Sequence, residues 1–157
     1  MSLCFAVDKS LGTLAKWLRI LGYDTLYEPE ASGKELYTGL EDHRILITRS
    51  KKIQKTWAFH HHVFITSNLL VEQLKQVVGQ VGIDRDDIQP FSICIHCNLP
   101  LGEVNKSDVY GLVPDYTWET HDAFKRCRQC NRIYWSGSHA ERSMDIIKQI
   151  FDSKGRI

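Results

Sequence analysis

The sequence contains no long apolar segment. Its apolar runs do not exceed five or six residues, whereas a membrane-spanning helix needs about 20. The first ten residues, MSLCFAVDKS, also lack the basic region and following apolar run of an export signal. These two absences predict a cytoplasmic protein that makes no contact with a membrane.

Internal repeats, low-complexity segments and a strong net charge are absent as well. The formal net charge is +1, and the hydrophobic share of 43% and the charged share of 25% are ordinary for a soluble globular protein. A charge this small indicates no particular partner. The 157 residues are enough to bury one good core or two small ones.

The distribution of charge is more informative than its sum. Residues 44–55, RILITRSKKIQK, carry five positive charges and no acid, and residues 125–132, KRCRQCNR, carry four and no acid. Two local basic patches in a nearly neutral protein suit a bound polyanion. An exposed face that favours solubility is the alternative for either patch taken alone.

Four of the five cysteines form two CxxC pairs separated by 29 residues, Cys94 with Cys97 and Cys127 with Cys130. Two such turns can complete a tetrahedral site of four thiolates, which suits Zn²⁺ and also admits iron. Because the protein supplies all four ligands, we expect a structural zinc site rather than a catalytic one. Two disulfides or a redox motif are the alternative, but a redox motif does not require a second CxxC.

Short apolar segments alternate with helical patterns through the first half of the chain. The predicted strands are 3–7, 24–27, 44–48 and 62–66, and the predicted helices follow each of them. The first helix carries a leucine face, the second starts after Ser32, and Ser50 and Ser67 are candidate caps of the last two. This alternation predicts an α/β fold with right-handed crossovers and a parallel sheet.

The acidic segment IDRDDIQP (83–90) suggests a boundary between two domains. We therefore predict an α/β domain over residues 1–88 and a small zinc ribbon with a C-terminal helix over 89–157. In that helix Met144, Ile147 and Phe151 share one face.

Polar side chains follow the predicted parallel strands. Asp8 comes directly after the first strand, and Ser50 and Asn68 follow the third and fourth strands by two residues each. Ligands bind beyond the carboxyl ends of parallel strands, so these residues and Glu35 of the second helix can share a site. Carboxylates there would hold Mg²⁺ or Mn²⁺ and support phosphodiester hydrolysis. The alternatives are a helix cap for Asp8 and an ordinary exposed position for Glu35.

Several of these motifs together resemble one known family. FAVD (5–8), LGTLAKWLRILGYDTLY (11–27), RILITR (44–49), the two CxxC pairs and IYWSGSH (133–139) are similar to the Mut-seven C-terminal domain. The resemblance covers nearly the whole chain. It implies a PIN-like three-layer fold followed by a zinc ribbon, in the short free-standing form found in prokaryotes. In animals the domain is joined to 3′–5′ exoribonucleases, so the resemblance implies RNA as the partner.

The chain departs from the family pattern at two places. It has Thr-Arg-Ser at 48–50 where the family usually reads Thr-Arg-Asp, and Ser-Gly-Lys at 32–34 where the family usually has an aspartate. PIN-type nucleases use three or four acids, and here Asp8 and Glu35 are the candidate catalytic residues. We expect a binder of single-stranded RNA with a degenerate nuclease centre. The alternatives are a Mg²⁺- or Mn²⁺-dependent ribonuclease that uses Asp8 and a module that docks a protein partner.

We expect RNA phosphates to meet basic residues in both predicted domains. Those residues are Lys9, Lys16, Arg19, Arg49, Lys51, Lys52, Lys55, Lys125, Arg126, Arg128 and Arg132. Tyr134 and Trp135 can stack unpaired bases, at about 1–3 kcal/mol per base. Because neighbours on a strand face opposite ways, one of these two aromatic residues is expected to pack inside the protein.

Overall fold

The structure is a computed structural model that describes residues 3–27, 29, 43–56 and 61–152. The chain divides into two compact units, Met1–Asn98 and Leu99–Ile157. The first unit includes the CxxC pair at 94–97, which the sequence analysis grouped with the ribbon. The helix predicted after Ser32, and Glu35 with it, lies outside the described residues.

The first unit is built on a four-stranded parallel sheet with strand order β2-β1-β3-β4. Its elements are β1 (Cys4–Val7), a 3-10 turn (Lys9–Leu11), α1 (Gly12–Ile20), β2 (Asp24–Tyr27), β3 (Ile45–Thr48), α2 (Lys51–Thr56), β4 (His62–Phe64), α3 (Leu70–Val81) and a 3-10 turn (Arg85–Asp87). The predicted α/β class with a parallel sheet is confirmed.

Both faces of the sheet are covered. Phe5 and Ala6 are successive residues of β1, so their side chains point to opposite faces, and both are fully buried. On the Ala6 face, Leu46 of β3 is also buried. Leu26 of β2 and Ile53 of α2 pack against Ala6 and Leu46. A strand buried on both faces reads as a continuous apolar run, which is what LCFAV shows.

The leucine face of the first helix lies inside the core as predicted. Leu14, Leu18 and Leu21 are fully buried and Leu11 nearly so, and each contributes roughly 1.5–3 kcal/mol of hydrophobic free energy. The helix contacts α3. It ends before Gly22, whose φ of 97° lies in the left-handed region that glycine adopts without strain.

The predicted helix boundaries are partly corrected. Ser50 does cap α2, because its Oγ accepts a hydrogen bond from Ile53 N at 3.3 Å. Ser67 does not cap α3; its Oγ accepts from Leu69 N at 3.1 Å, one residue before the helix begins. Gly79 lies within α3, and Gly82, with φ of 85°, closes that helix.

The second unit contains a three-stranded antiparallel sheet with order β5-β6-β7. Its elements are β5 (Gly102–Val104), a 3-10 turn (Lys106–Val109), α4 (Asp115–Thr120), β6 (Phe124–Arg126), β7 (Ile133–Tyr134) and α5 (Ser138–Asp152). Val109, Val113 and Phe124 form its core, with Trp118 and Trp135 packed against them.

The buried face of α5 differs from the predicted one by one residue. Ile147 and Phe151 are buried as predicted, but Met144 is 39% exposed and Ile150 is buried instead. Across the described ranges, no helix is both long enough and apolar enough to cross a membrane.

Candidate functional site

The four paired cysteines converge on one point. The Sγ atoms of Cys94, Cys97, Cys127 and Cys130 all lie within 4.8 Å of one another. A tetrahedral zinc with Zn–S bonds of about 2.3 Å places its sulfurs roughly 3.8 Å apart. The predicted grouping of these cysteines is confirmed, and the cluster has the ligand number and chemistry of a structural metal centre.

Both CxxC turns are closed in the same way by an asparagine. Asn98 N donates to Cys94 O and Asn131 N donates to Cys127 O, each at 2.9 Å. The two asparagines have φ of 57° and 61°, a left-handed conformation that asparagine tolerates better than most residues. Neither asparagine was predicted, although the repeated pattern CxxCN is a signal in the sequence that marks both of them.

Arg19 anchors the first cysteine turn to strand β2. Its guanidinium donates to Ile95 O at 2.9 Å and to Thr25 O at 2.9 and 3.2 Å. The residue is 4% exposed. Arg19 therefore does not present its charge to solvent, and we remove it from the predicted RNA contacts.

Asn98 makes a second link to the same strand. Its Oδ1 accepts from Thr25 N at 2.9 Å and its Nδ2 donates to Asp24 Oδ1 at 2.7 Å. Asp24 also forms an ion pair with Arg44 at 2.9 Å. Burial raises the pKa of Asp24, but hydrogen bonds from Arg44 and Asn98 and the charges of Arg44 and Arg19 outweigh it, so the pKa is lowered. This polar cluster supports the metal centre from the sheet.

Asp8 lies at the carboxyl end of β1 and is 3% exposed. Its Oδ1 accepts from Ser10 N at 2.9 Å and from Ser10 Oγ at 2.6 Å, which caps the following 3-10 turn. Its Oδ2 accepts from the Thr48 hydroxyl and from Arg49 N at 3.2 Å. Asp8 therefore fixes the end of β1 to the end of β3, and both of its oxygens are occupied by donors of the protein.

The other residues predicted at this edge are close by. The Arg49 guanidinium donates to Asn68 Oδ1, and Ser50 N donates to Thr48 Oγ1 at 3.0 Å. Thr48 was not predicted, because a threonine that ends a strand resembles any other β-branched strand residue. Within the ranges that the structure describes, the group of three or more histidine, cysteine or acidic residues suited to a metal is the cysteine cluster.

The remaining predicted RNA contacts differ in exposure. Lys9, Lys16, Lys51, Lys52, Lys55, Arg128 and Arg132 are exposed, and Arg49, Lys125, Arg126 and Trp135 are half-buried. Arg126 and Arg128 line a cavity of about 390 Å³ beside β5. Arg126 Nε is buried there without a hydrogen-bond partner among the described residues. Each unit thus carries its own set of basic side chains.

A comparison with protein families gives a match over most of the chain. A model described as the Mut7-C RNAse domain matches residues 4–147. The chain belongs to the Mut7-C RNAse domain family. The resemblance found in the sequence is confirmed, and Mut7-C membership associates the chain with ribonuclease-like action on nucleic acid. Comparisons with curated proteins and with solved structures found no match.

Proposed function

We propose that this Mut7-C chain is a cytoplasmic protein that binds single-stranded RNA and has a degenerate nuclease centre. The observation that carries the proposal is the position of α2. This helix starts three residues after β3 ends, beside Asp8, and it exposes Lys51, Lys52 and Lys55. Ligands of parallel sheets bind at this edge, so a polyanion there meets three unobstructed ammonium groups.

The basic edge consists of the exposed or half-buried basic residues that follow β1 and β3 in the first unit: Lys9, Lys16, Arg49, Lys51, Lys52 and Lys55. Flexible lysines contact phosphates as point charges and release counterions from the nucleic acid. Neither kind of contact requires a particular base, so the edge is suited to binding with little sequence preference. Lys125, Arg126, Arg128 and Arg132 are the corresponding set in the second unit.

Two features support a degenerate nuclease centre. Asp8 uses both carboxylate oxygens to hold Ser10, Thr48 and the Arg49 amide, which makes it a structural link between strand ends. Ser50 stands where the family usually has an acid, and its hydroxyl caps α2. A divalent ion at this edge would need carboxylates to balance its charge.

We further propose that residues 89–157 act as a ribbon stabilised by Zn²⁺ at the four cysteines. Four thiolates that are close enough to bind one ion tetrahedrally suit zinc better than magnesium or manganese, which prefer oxygen ligands. The metal would fix the chain on both sides of the cluster and hold the basic residues next to Cys127 and Cys130 in place.

The test is a filter-binding assay with a single-stranded RNA and a triple variant in which Lys51, Lys52 and Lys55 become Ala. These side chains are exposed, so the variant is expected to fold normally. Its affinity for RNA should fall at least tenfold at low salt. If the three lysines each neutralise one phosphate, the slope of log K against log salt should become shallower by about 2.

A matched control removes three positive charges elsewhere by changing Lys75, Arg142 and Lys148 to Ala. Lys75 pairs with Glu72 at 3.3 Å, a surface contact of little energetic value. This control should keep most of the affinity. Equal losses in the two triple variants would show that only net charge matters, and the basic edge would then not be the binding site.

A metal-dependent ribonuclease is the second candidate, favoured by the position of Asp8 at the carboxyl end of β1. It predicts cleavage stimulated by Mn²⁺ and abolished in Asp8→Asn, whereas the RNA-binding proposal predicts that Asp8→Asn still binds RNA.

Docking of a protein partner is the third candidate. Tyr110, Leu112 and Tyr116 are large apolar side chains that are exposed in the second unit. A wild-type chain that retains no RNA at low salt would favour this candidate over both others.

A further inference from the structure

The second unit contains a cavity of about 450 Å³ with an aromatic lining. Tyr116 of α4, Tyr134 of β7 and Trp135 line it. Small-molecule sites commonly measure about 300–1,000 Å³ and combine apolar or aromatic walls with a few polar groups. The polar groups here include the side chains of Thr117, Ser138 and His139, which can donate and accept hydrogen bonds.

His121 lies between two walls of this cavity. Its Nδ1 lies 3.0 Å from Thr117 O in α4, and its Nε2 lies 3.1 Å from Ser136 O in the turn after β7. That turn is closed by Gly137 N, which donates to Trp135 O at 3.0 Å. The cavity is therefore formed by the folded chain itself and does not depend on a ligand to create it.

Trp135 is held in place from two sides. A Cβ at Gly137 would lie 2.9 Å from Trp135 Nε1, so only glycine lets the indole lie this close to the turn. The indole also packs on Phe124, with ring centroids 6.4 Å apart. A fixed aromatic ring loses little conformational entropy when a flat ligand stacks beside it.

A positive charge stands next to the aromatic lining. Lys125 of β6 is the cross-strand partner of Tyr134. Directly opposite residues of an antiparallel pair share one face of the sheet, about 4.5–5.5 Å apart at Cβ. A ligand beside Tyr134 can therefore place an anionic group near Lys125, and an aromatic base joined to a phosphate has both features.

We propose that this cavity binds one unpaired nucleobase of RNA, with Lys125 near the adjoining phosphate. The inference rests on the proposed RNA binding and assigns it a base-binding subsite in the second unit. Base–aromatic stacking tolerates any base, so the subsite recognises an unstacked base rather than a sequence.

The experiment compares wild type with Tyr116→Ala on two probes of equal length, a single-stranded RNA and its fully abasic counterpart. Tyr116 is 76% exposed, so its replacement leaves the core intact. Wild type should bind the RNA more tightly than the abasic strand. Tyr116→Ala should lose about 5- to 150-fold in affinity for the RNA and should bind the abasic strand as wild type does.

Tyr110→Ala is the matched control, since Tyr110 is an exposed tyrosine of the same unit that does not line the cavity. It should change either affinity less than twofold. Equal wild-type binding of both probes, or an equal loss in the two tyrosine variants, would overturn the base subsite and leave the proposed RNA binding intact. Failure of wild type to bind either probe would overturn both proposals.

Discussion

Arg19 and Lys16 lie three residues apart on α1 and have opposite environments. Lys16 is exposed, whereas Arg19 is buried and donates to the carbonyls of Thr25 and Ile95. The sequence treats both as basic residues of an amphipathic helix. The acceptor at residue 95 is 76 positions away, so no local pattern could have shown that Arg19 has a structural role.

Replacing Arg19 with Lys should therefore affect stability and not RNA binding. One ammonium cannot reproduce the planar fork of donors to two carbonyls, and buried acceptors left unpaired cost about 1–3 kcal/mol. Urea unfolding should show this loss, with RNA affinity of the folded protein unchanged within twofold. Lys16→Ala should weaken the affinity for RNA and leave the stability unchanged. A weakened RNA affinity in Arg19→Lys would contradict the structural role of Arg19.

Asp24 provides a prediction about pH. Because the pKa of its carboxyl group in the folded chain lies below the ordinary value, its stabilising contribution is present above the unfolded pKa and is lost as the pH falls through the folded pKa. Asp24 is half exposed, so solvent screening limits the contribution to about 0.5–1 kcal/mol. Wild type should exceed Asp24→Asn in unfolding free energy by this amount at pH 7, and the gap should close as the pH falls through the pKa of Asp24 in the folded chain. A constant gap across this range would argue against the ion pair.

At the scale of helices and strands, the position of each element was predictable from the sequence, but the residues at which it begins and ends were less so. The alternation of short apolar segments with helical patterns located the four parallel strands of the described sheet. The signal was clearest for β1 and β3, because burial on both faces leaves a continuous apolar segment. Helix ends depend on single hydrogen bonds. Ser50 and Ser67 both follow a strand, yet only Ser50 reaches a helix amide. The reason is that α2 starts one residue after Ser50, whereas α3 starts three residues after Ser67.

Two glycines that follow helices differ in why a glycine is required: one needs only a positive φ, whereas the other also lacks space for a Cβ. Gly22 and Gly82 both have positive φ, but a Cβ at Gly22 would collide with Gln89 O, whereas one at Gly82 would meet nothing within 4 Å. Gly82→Ala should lower the free energy of unfolding by about 1–2 kcal/mol, because a residue with a Cβ is strained in the left-handed conformation. Gly22→Ala should cost at least about 3 kcal/mol, because the collision adds to it. Equal losses in thermal unfolding would refute the close approach.

At the scale of the whole molecule, the spacing of four cysteines correctly predicted a cluster suited to a metal centre, since ligand number and turn length are local properties. The supports of that centre were not predictable in the same way. Asn98 reaches Thr25 and Asp24 across more than 70 residues of sequence. Long-range polar contacts of this kind leave no periodic signal, and the resemblance to a family does not assign them either.

Metal analysis should find one equivalent of zinc per folded chain. Changing Cys127 to Ser should remove it, and amide hydrogen exchange should then become faster around β6 and β7, since metal binding and folding are coupled at such sites. Cys4→Ser is the control, because Cys4 is the cysteine outside the cluster; it should keep its zinc. Loss of zinc in Cys127→Ser with unchanged exchange would show that the ribbon folds without the ion.

Among the residues that the structure describes, β2 lies at an edge of its sheet, where an unpaired backbone can recruit a strand from another molecule. Here the amide and the carbonyl of Thr25 are both taken, the first by Asn98 and the second by Arg19. The polypeptide around the cysteine turn thus blocks strand addition at this position. A chain in which this turn unfolds would expose the backbone of β2 to other molecules. We therefore expect that removing a metal bound at the cysteines promotes self-association.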